Sequence, residues 1–352
     1  MSIKPFAFLF PGQGSQSVGM LDAWNGHAQV LGALAEASDA LGEDLGKLIH
    51  EGPKEALALT VNTQPVMLVA GVAAYRVWMA ETSLAPAALA GHSLGEYSAL
   101  VAAGALSLAQ AAPLVRYRAQ AMQDVVPVGV GAMAVIMGMD AQQVVDGCAE
   151  VAAMHAADPQ RVVEAVNFNE PTQTVIAGDK DSVAQACELL KSKGAKRALP
   201  LPVSAPFHSS LMRPAALKLK ERLAATEFQT PRIPLVNNID VAIESDPQRI
   251  RDALFRQAAG PVRWVECVRA LRARGIGHFV ECGPGKVLTG LCRRIEAETP
   301  CAALIDPASL QEIKGLLSCA KPLRTNKLPW SQGPAGASAR PSPWSWQASG
   351  CR

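Results

Sequence analysis

Ser93 has a glycine two places away on each side, in Gly91-His92-Ser93-Leu94-Gly95. A serine so flanked is the pattern of a nucleophile held on a tight strand-to-helix turn, and it points to acyl chemistry. Ala87 to Ala90 ahead of it reads as a short buried strand, and Glu96 to Val101 behind it opens a helical pattern, the context the motif requires. A bare match in a chain with 28 glycines also describes an ordinary Gly-Ser turn, so other residues must decide. A serine nucleophile needs a base, and six histidines are available. His208 is the best placed, in the loop Pro202 to Ser209, where a side chain is aimed over a sheet edge. His27, His50 and His155 lie in polar, exposed surroundings. His92, adjacent to the nucleophile on a tight turn, points away and braces it, while His278 opens a core strand as a satisfied structural residue.

Other chemistries find less support. Gly283-Pro284-Gly285-Lys286 lacks the earlier glycine and the following Ser or Thr of a phosphate-binding loop, and Pro11 to Gly19 contains no lysine, so both strings read as plain loops. The eight cysteines form no Cys-x-x-Cys pair and have no histidine at ligand spacing, so no metal site is expected; they read as reduced thiols of a cytoplasmic protein. Val66 to Tyr75, the longest apolar run, is about half a membrane span. A formal charge of +2 gives no reason to expect nucleic-acid binding. The groups Lys191, Lys193, Lys196, Arg197 and Arg213, Lys218 suit either a solvated face or an acidic partner.

The chain that must position these residues reads as α/β. Phe6 to Phe10, apolar throughout and stopped by Pro11-Gly12, predicts a central strand. Thr63 and Pro65 start a helix to about Met79 that is apolar nearly all round, and Ser107 with Gln110 forms a capping box for a helix to about Gln123. From Ala132 to Leu201 the order becomes strand, helix, strand, strand, helix, strand, the pattern of a ferredoxin-like unit. The expected organisation is an α/β-hydrolase-like large domain with a parallel sheet, residues 1–127 and 203–318, carrying an inserted ferredoxin-like βαββαβ subdomain at 128–202. Residues 319–352, rich in Pro, Ser, Gly and Arg and without an acid, read as a disordered basic tail.

Phe10-Pro-Gly-Gln-Gly-Ser-Gln16, Gly91 to Leu100 (GHSLGEYSAL), Val166-Asn-Phe-Asn169 and Glu281 to Leu291 (ECGPGKVLTGL) stand in one order along the chain. Together they resemble the malonyl-CoA:acyl carrier protein transacylases of fatty acid synthesis, from about Phe6 to Leu317. The resemblance implies that Ser93 attacks the thioester of malonyl-CoA and His208 takes its proton. It implies an oxyanion hole from the backbone of Gln13 and Leu94, a backbone carbonyl at Gln257 orienting the histidine, Arg118 holding the malonyl carboxylate, and Phe207 limiting the acyl group. Arg116, two residues from Arg118 on another helix face, is the natural control. The implied substrates are malonyl-CoA and phosphopantetheinylated acyl carrier protein, with no bound cofactor and no metal. The expected partners are that carrier protein and the coenzyme A thioester, with no nucleic acid or membrane, and the chain is expected to be a monomer. A malonyltransferase of a malonate decarboxylase or polyketide pathway, a serine esterase or thioesterase, and a silent binding protein remain as alternatives.

Overall fold

The computed structural model describes residues 4–24, 26–127, 129–203 and 205–318; the expectation for 319–352 lies outside the described residues. The chain opens with β1 (Phe6–Phe10), α1 (Ala28–Leu41), α2 (Leu45–Glu51), α3 (Lys54–Ala58), α4 (Thr60–Thr82), β2 (Ala88–Gly91), α5 (Gly95–Ala102) and α6 (Leu108–Val125). The middle run is β3 (Gly131–Met137), α7 (Ala141–Met154), β4 (Val163–Glu170), β5 (Gln173–Asp179), α8 (Lys180–Ser192) and β6 (Arg197–Pro200). It closes with α9 (Arg213–Ala224), β7 (Leu235–Val236), α10 (Pro247–Ala258), α11 (Trp264–Ala273), β8 (His278–Cys282), α12 (Val287–Ile295), β9 (Cys301–Leu304) and α13 (Pro307–Ser318).

Five strands form a wholly parallel sheet in the order β7-β2-β1-β8-β9. β1 sits in the middle and is buried on both faces, as its unbroken apolar run predicts. Its side chains divide by the two-residue period of a strand. Phe6, Phe8 and Phe10 face α4, where Phe6 and Phe8 meet the Trp78 ring edge-on, while Ala7 and Leu9 join the core under α11 and α12. α4 is buried nearly all round, as expected, but it begins at Thr60 rather than at Thr63 to Pro65, which leaves Pro65 inside it. The amides of Asn62 and Thr63 already bond to the Leu59 carbonyl, so the first turn closes ahead of the proline, which then deletes a single bond.

The four remaining strands form an antiparallel sheet in the order β4-β5-β3-β6. This is the strand order of the ferredoxin-like unit. Alternation on β3 sends Ala134 and Ile136 under α7 and α8 and turns Met133 to the opposite face, together with Val166, Val175 and Ala177. That second face looks at the large sheet, with Leu201, Val203 and Phe207 packed on it. β4 is joined through the backbone to the loop ahead of α11: the Phe168 amide donates to the Val262 carbonyl and the Val262 amide to the Val166 carbonyl.

Candidate active site

The turn from β2 to α5 carries Ser93, which adopts φ +52°; His208 has φ +67°. Non-glycine residues enter this region at a cost of about 1–3 kcal/mol, so the surroundings must hold both. At Gly91 an added Cβ would lie 1.9 Å from the Gly95 carbonyl carbon, and at Gly95 it would lie 2.0 Å from the Phe10 carbonyl oxygen. Both glycines of the motif are therefore required by close approach of backbone to backbone.

Beneath the turn lies a fully buried polar layer. Asn238, at the carboxyl end of β7, accepts the Ser93 amide at 2.7 Å on Oδ1 and donates Nδ2 to the Gly91 carbonyl at 2.7 Å. Gln257, at the end of α10, donates Nε2 to the Ser93 carbonyl at 3.1 Å. Glu96 Oε2 accepts from the Asn238 amide at 2.9 Å and from Gln257 Nε2 at 2.8 Å, which sets the orientation of the Gln257 amide. Burial pushes the Glu96 carboxyl up to about 7, against those two hydrogen bonds and the nearby Arg118 charge.

Above the turn, Ser93 Oγ is 2.7 Å from His208 Nε2. His208 Nδ1 lies 2.9 Å from the Gln257 carbonyl and 3.2 Å from that of Gly260. Carbonyls only accept, so Nδ1 carries the ring proton and Nε2 presents its lone pair to the serine hydroxyl. His208 is 5% exposed. Burial, then the Arg118 charge, lower its pKa to about 3, so the ring is neutral at pH 7.

Arg118 comes from α6 and is 2% exposed. It donates Nη1 to Gln64 Oε1 at 2.7 Å, and Nη2 to Ser93 Oγ at 3.2 Å and Gln257 Oε1 at 3.3 Å, with its guanidinium 5.6 Å from the Tyr97 ring centroid. Its hydrogen bonds thus go to neutral oxygens. Arg116 instead makes a two-pronged pair with Glu43 at 2.6 Å, away from the cleft. Gln13, Leu94, Arg118, Ser93, His208 and Phe207 line one cavity of about 130 Å³ between the sheets. The Gln13 side chain is anchored on Thr60 at the start of α4.

His92 turns away from the nucleophile, as expected, and bonds Asn169 of β4 at 2.8 Å with its ring against Trp264. The Val166-Asn-Phe-Asn169 string thus ties the second sheet to the nucleophile turn. His27, His50 and His155 contact Glu81, Asp22 and Gln185, outside the cleft. His278 is buried at the start of β8, but its Nδ1 has no hydrogen-bond partner among the described residues, which corrects the expectation of a satisfied histidine. Glu281 accepts from the Leu288 and Thr289 amides and the Thr289 hydroxyl, so the ECGPGK string is a helix cap. Sequence reasoning missed Asn238, Gln64 and the role of Glu96. One signal was present for each of the first two: Asn238 directly follows a short strand, and Gln64 interrupts an otherwise apolar helix.

The family described as acyl transferase domain matches residues 7–306. The malonyl CoA-acyl carrier protein transacylase of Escherichia coli strain K12 is 51% identical over 306 residues, covering 87% of this chain and 97% of that protein. A crystal structure of the acyl-carrier-protein S-malonyltransferase of Burkholderia pseudomallei 1710b is similar with a TM-score of 0.85 at 60% identity, covering 88% of this chain and 99% of that one. A malonyl-transacylase in complex with a type II PKS acyl-carrier protein gives a TM-score of 0.86 at 48% identity, covering 89% and 100%. With a nucleophile turn, a neutral histidine and a buried arginine in one cleft, and with similarity over nearly the whole length of these proteins, the chain belongs to the malonyl-CoA:acyl carrier protein transacylase family of acyl transferases.

Proposed function

We propose that this enzyme moves the malonyl group of malonyl-CoA to the phosphopantetheine thiol of an acyl carrier protein, for fatty acid synthesis, through a malonyl ester on Ser93. The observation that carries the reading is the buried guanidinium of Arg118 at 3.2 Å from the Ser93 hydroxyl: it offers a carboxylate a partner beside the point of attack. In the proposed route Ser93 Oγ attacks the thioester carbonyl as its proton passes to His208 Nε2. The oxyanion forms toward the backbone amides of Gln13 and Leu94, the latter at the head of α5. Collapse breaks the C–S bond, and the coenzyme A thiolate leaves with the proton held by His208. The carrier's thiol then repeats these steps in reverse order, with His208 as its base.

The Gln257 carbonyl holds the ring in the productive tautomer. Phe207 closes the apolar wall with Met133, Leu201 and Val203 and crowds any α-substituent. We also propose residues 1–127 with 203–318, and 128–202, as the two units whose junction is this cleft. The proposed route draws on side chains, backbone groups and two thioesters, and the enzyme is proposed to work as a monomer. Six buried free cysteines among the described residues fit a cytoplasmic setting.

Similarity to a transacylase bound to a type II PKS carrier favours a second reading, in which the acceptor serves polyketide synthesis. Incubation with labelled malonyl-CoA and several purified holo-carrier proteins decides. Label is expected on the fatty acid carrier at the highest kcat/KM; preference for a polyketide carrier selects the second reading, and release of free malonate without transfer would make the enzyme a hydrolase.

A further inference from the structure

Arg118 is a buried cation whose hydrogen-bond partners among the described residues, the side-chain oxygens of Gln64, Gln257 and Ser93, are all neutral. Glu96, the nearest acid to it in the buried layer, is turned to the Asn238 amide and to Gln257 Nε2. Nη2 therefore donates into a lone pair of the nucleophile itself. We propose that Arg118 keeps the empty site at rest, and that the carboxylate of the incoming acyl group, by taking over this guanidinium, frees Ser93 and completes its base. This rests on the reading of Arg118 as the carboxylate's partner and goes beyond it, because it makes the carboxylate part of the chemical step as well as of binding.

Two effects act together. Attack needs a lone pair of Oγ directed at the carbonyl carbon, and a guanidinium hydrogen bond occupies one. Proton transfer makes an imidazolium at His208, and the groups facing that ring are the Arg118 cation from α6, neutral His92 from the turn, and the Gln257 and Gly260 carbonyls from the end of α10. An uncompensated cation opposes a second positive charge beside it. A carboxylate on Arg118 removes both obstacles. The Oγ–H proton then passes to Nε2, the Oγ–C bond forms as the carbonyl electron pair moves to oxygen, and the C–S bond breaks as the oxyanion collapses.

An acetyl thioester occupies the cavity without this effect, yet a malonyl group is an acetyl group plus a carboxylate. Formate supplied separately restores the missing piece. The experiment follows acetyl transfer from acetyl-CoA to holo-carrier protein under a formate titration, with chloride holding ionic strength constant. Expected is a saturable rise in kcat of about threefold or more, since the rate follows a base's pKa with a Brønsted slope below one. Arg116→Ala should keep this response and Arg118→Ala should lose it. Arg118→Ala should also transfer acetyl faster than the parent enzyme without formate, a gain that a merely unfolded variant does not show.

Formate should compete with malonyl-CoA in the malonyl assay. Competition without activation of acetyl transfer overturns the proposal and leaves Arg118 as the carboxylate's partner; absence of both overturns the proposal together with that reading.

Discussion

Ser93 and His208, 115 residues apart in the chain, meet because each is held in a backbone conformation it would not adopt alone. The residues that hold them make testable contributions. Arg118→Ala is expected to abolish malonyl loading while sparing or improving acetyl loading, whereas Arg116→Ala, which only releases Glu43, should leave kcat/KM within about twofold. Equal loss of both acyl groups in Arg118→Ala would remove the carboxylate role. Asn238→Ala deletes the acceptor for the Ser93 amide and the donor to Gly91, so kcat should fall by about 10²-fold with malonyl-CoA affinity little changed. Steady-state kinetics separate the two parameters.

At this scale Ser93, Leu94 and Gln13 are legible in the strings Gly91 to Leu100 and Phe10 to Gln16, and His208 in its loop, whereas Arg118, Gln257 and Phe207 come only from the family resemblance; their catalytic roles are those proposed above. Asn238 and Gln64 carry only a faint mark: an asparagine after a two-residue strand and a glutamine in an apolar helix gain meaning once the fold shows what they face.

Among the elements, the nucleophile turn is the most constrained, since Gly91, Gly95 and Phe10 pack backbone to backbone. Gly91→Ala should prevent folding or destabilise by more than about 4 kcal/mol, checked by denaturant unfolding. The first residue of α5 that faces inward under this turn, Glu96, gives a pH signature. Its carboxyl is raised from the model-peptide value of 4.5 to about 7 by burial, so the folded state holds a proton that the unfolded chain has released in that window. The stability this provides is present below pH 4.5 and is lost as the pH rises through 7, amounting to about 3 kcal/mol. Glu96→Gln, which can still accept from Gln257, should flatten that dependence; an unchanged slope between pH 5 and 8 would place the titration elsewhere.

Unbroken apolar runs made β1 and α4 readable, and the alternation of strand and helix patterns did the same for the six middle elements. The start of α4 was misplaced because proline marks helix openings so often that it masked the turn already closed on Leu59. β9 and α13 were not read at all: Cys301-Ala-Ala-Leu304 is too short and too small-sided to show alternation.

Across the whole molecule, the cleft exists because one face of the antiparallel sheet is left for the large sheet to cover. Ties across the junction include the Val262 ladder to β4, the Arg294–Glu170 ion pair from α12, and the His92–Asn169 hydrogen bond, the one that reaches the nucleophile turn. Breaking the last with Asn169→Ala should raise KM and lower kcat together, as the walls of the cleft separate, with a loss of about 1–2 kcal/mol in stability. Removal of residues after Ser318 is expected to leave turnover and thermal stability unchanged, as limited proteolysis followed by assay would register; loss of either would make that segment part of the working structure.

The division into two sheets was legible in the change from βα to βαββαβ order, but their mutual placement was not, since Val262, Asn169 and His92 meet only in three dimensions. Intact-protein and peptide mass spectrometry after brief exposure to malonyl-CoA without carrier protein is the most direct test of Ser93 as the nucleophile. A single malonyl group is expected on the peptide containing Ser93, absent from Ser93→Ala and chased off by added holo-carrier thiol. A malonyl group on any other residue, or none in the unaltered enzyme, would contradict this role.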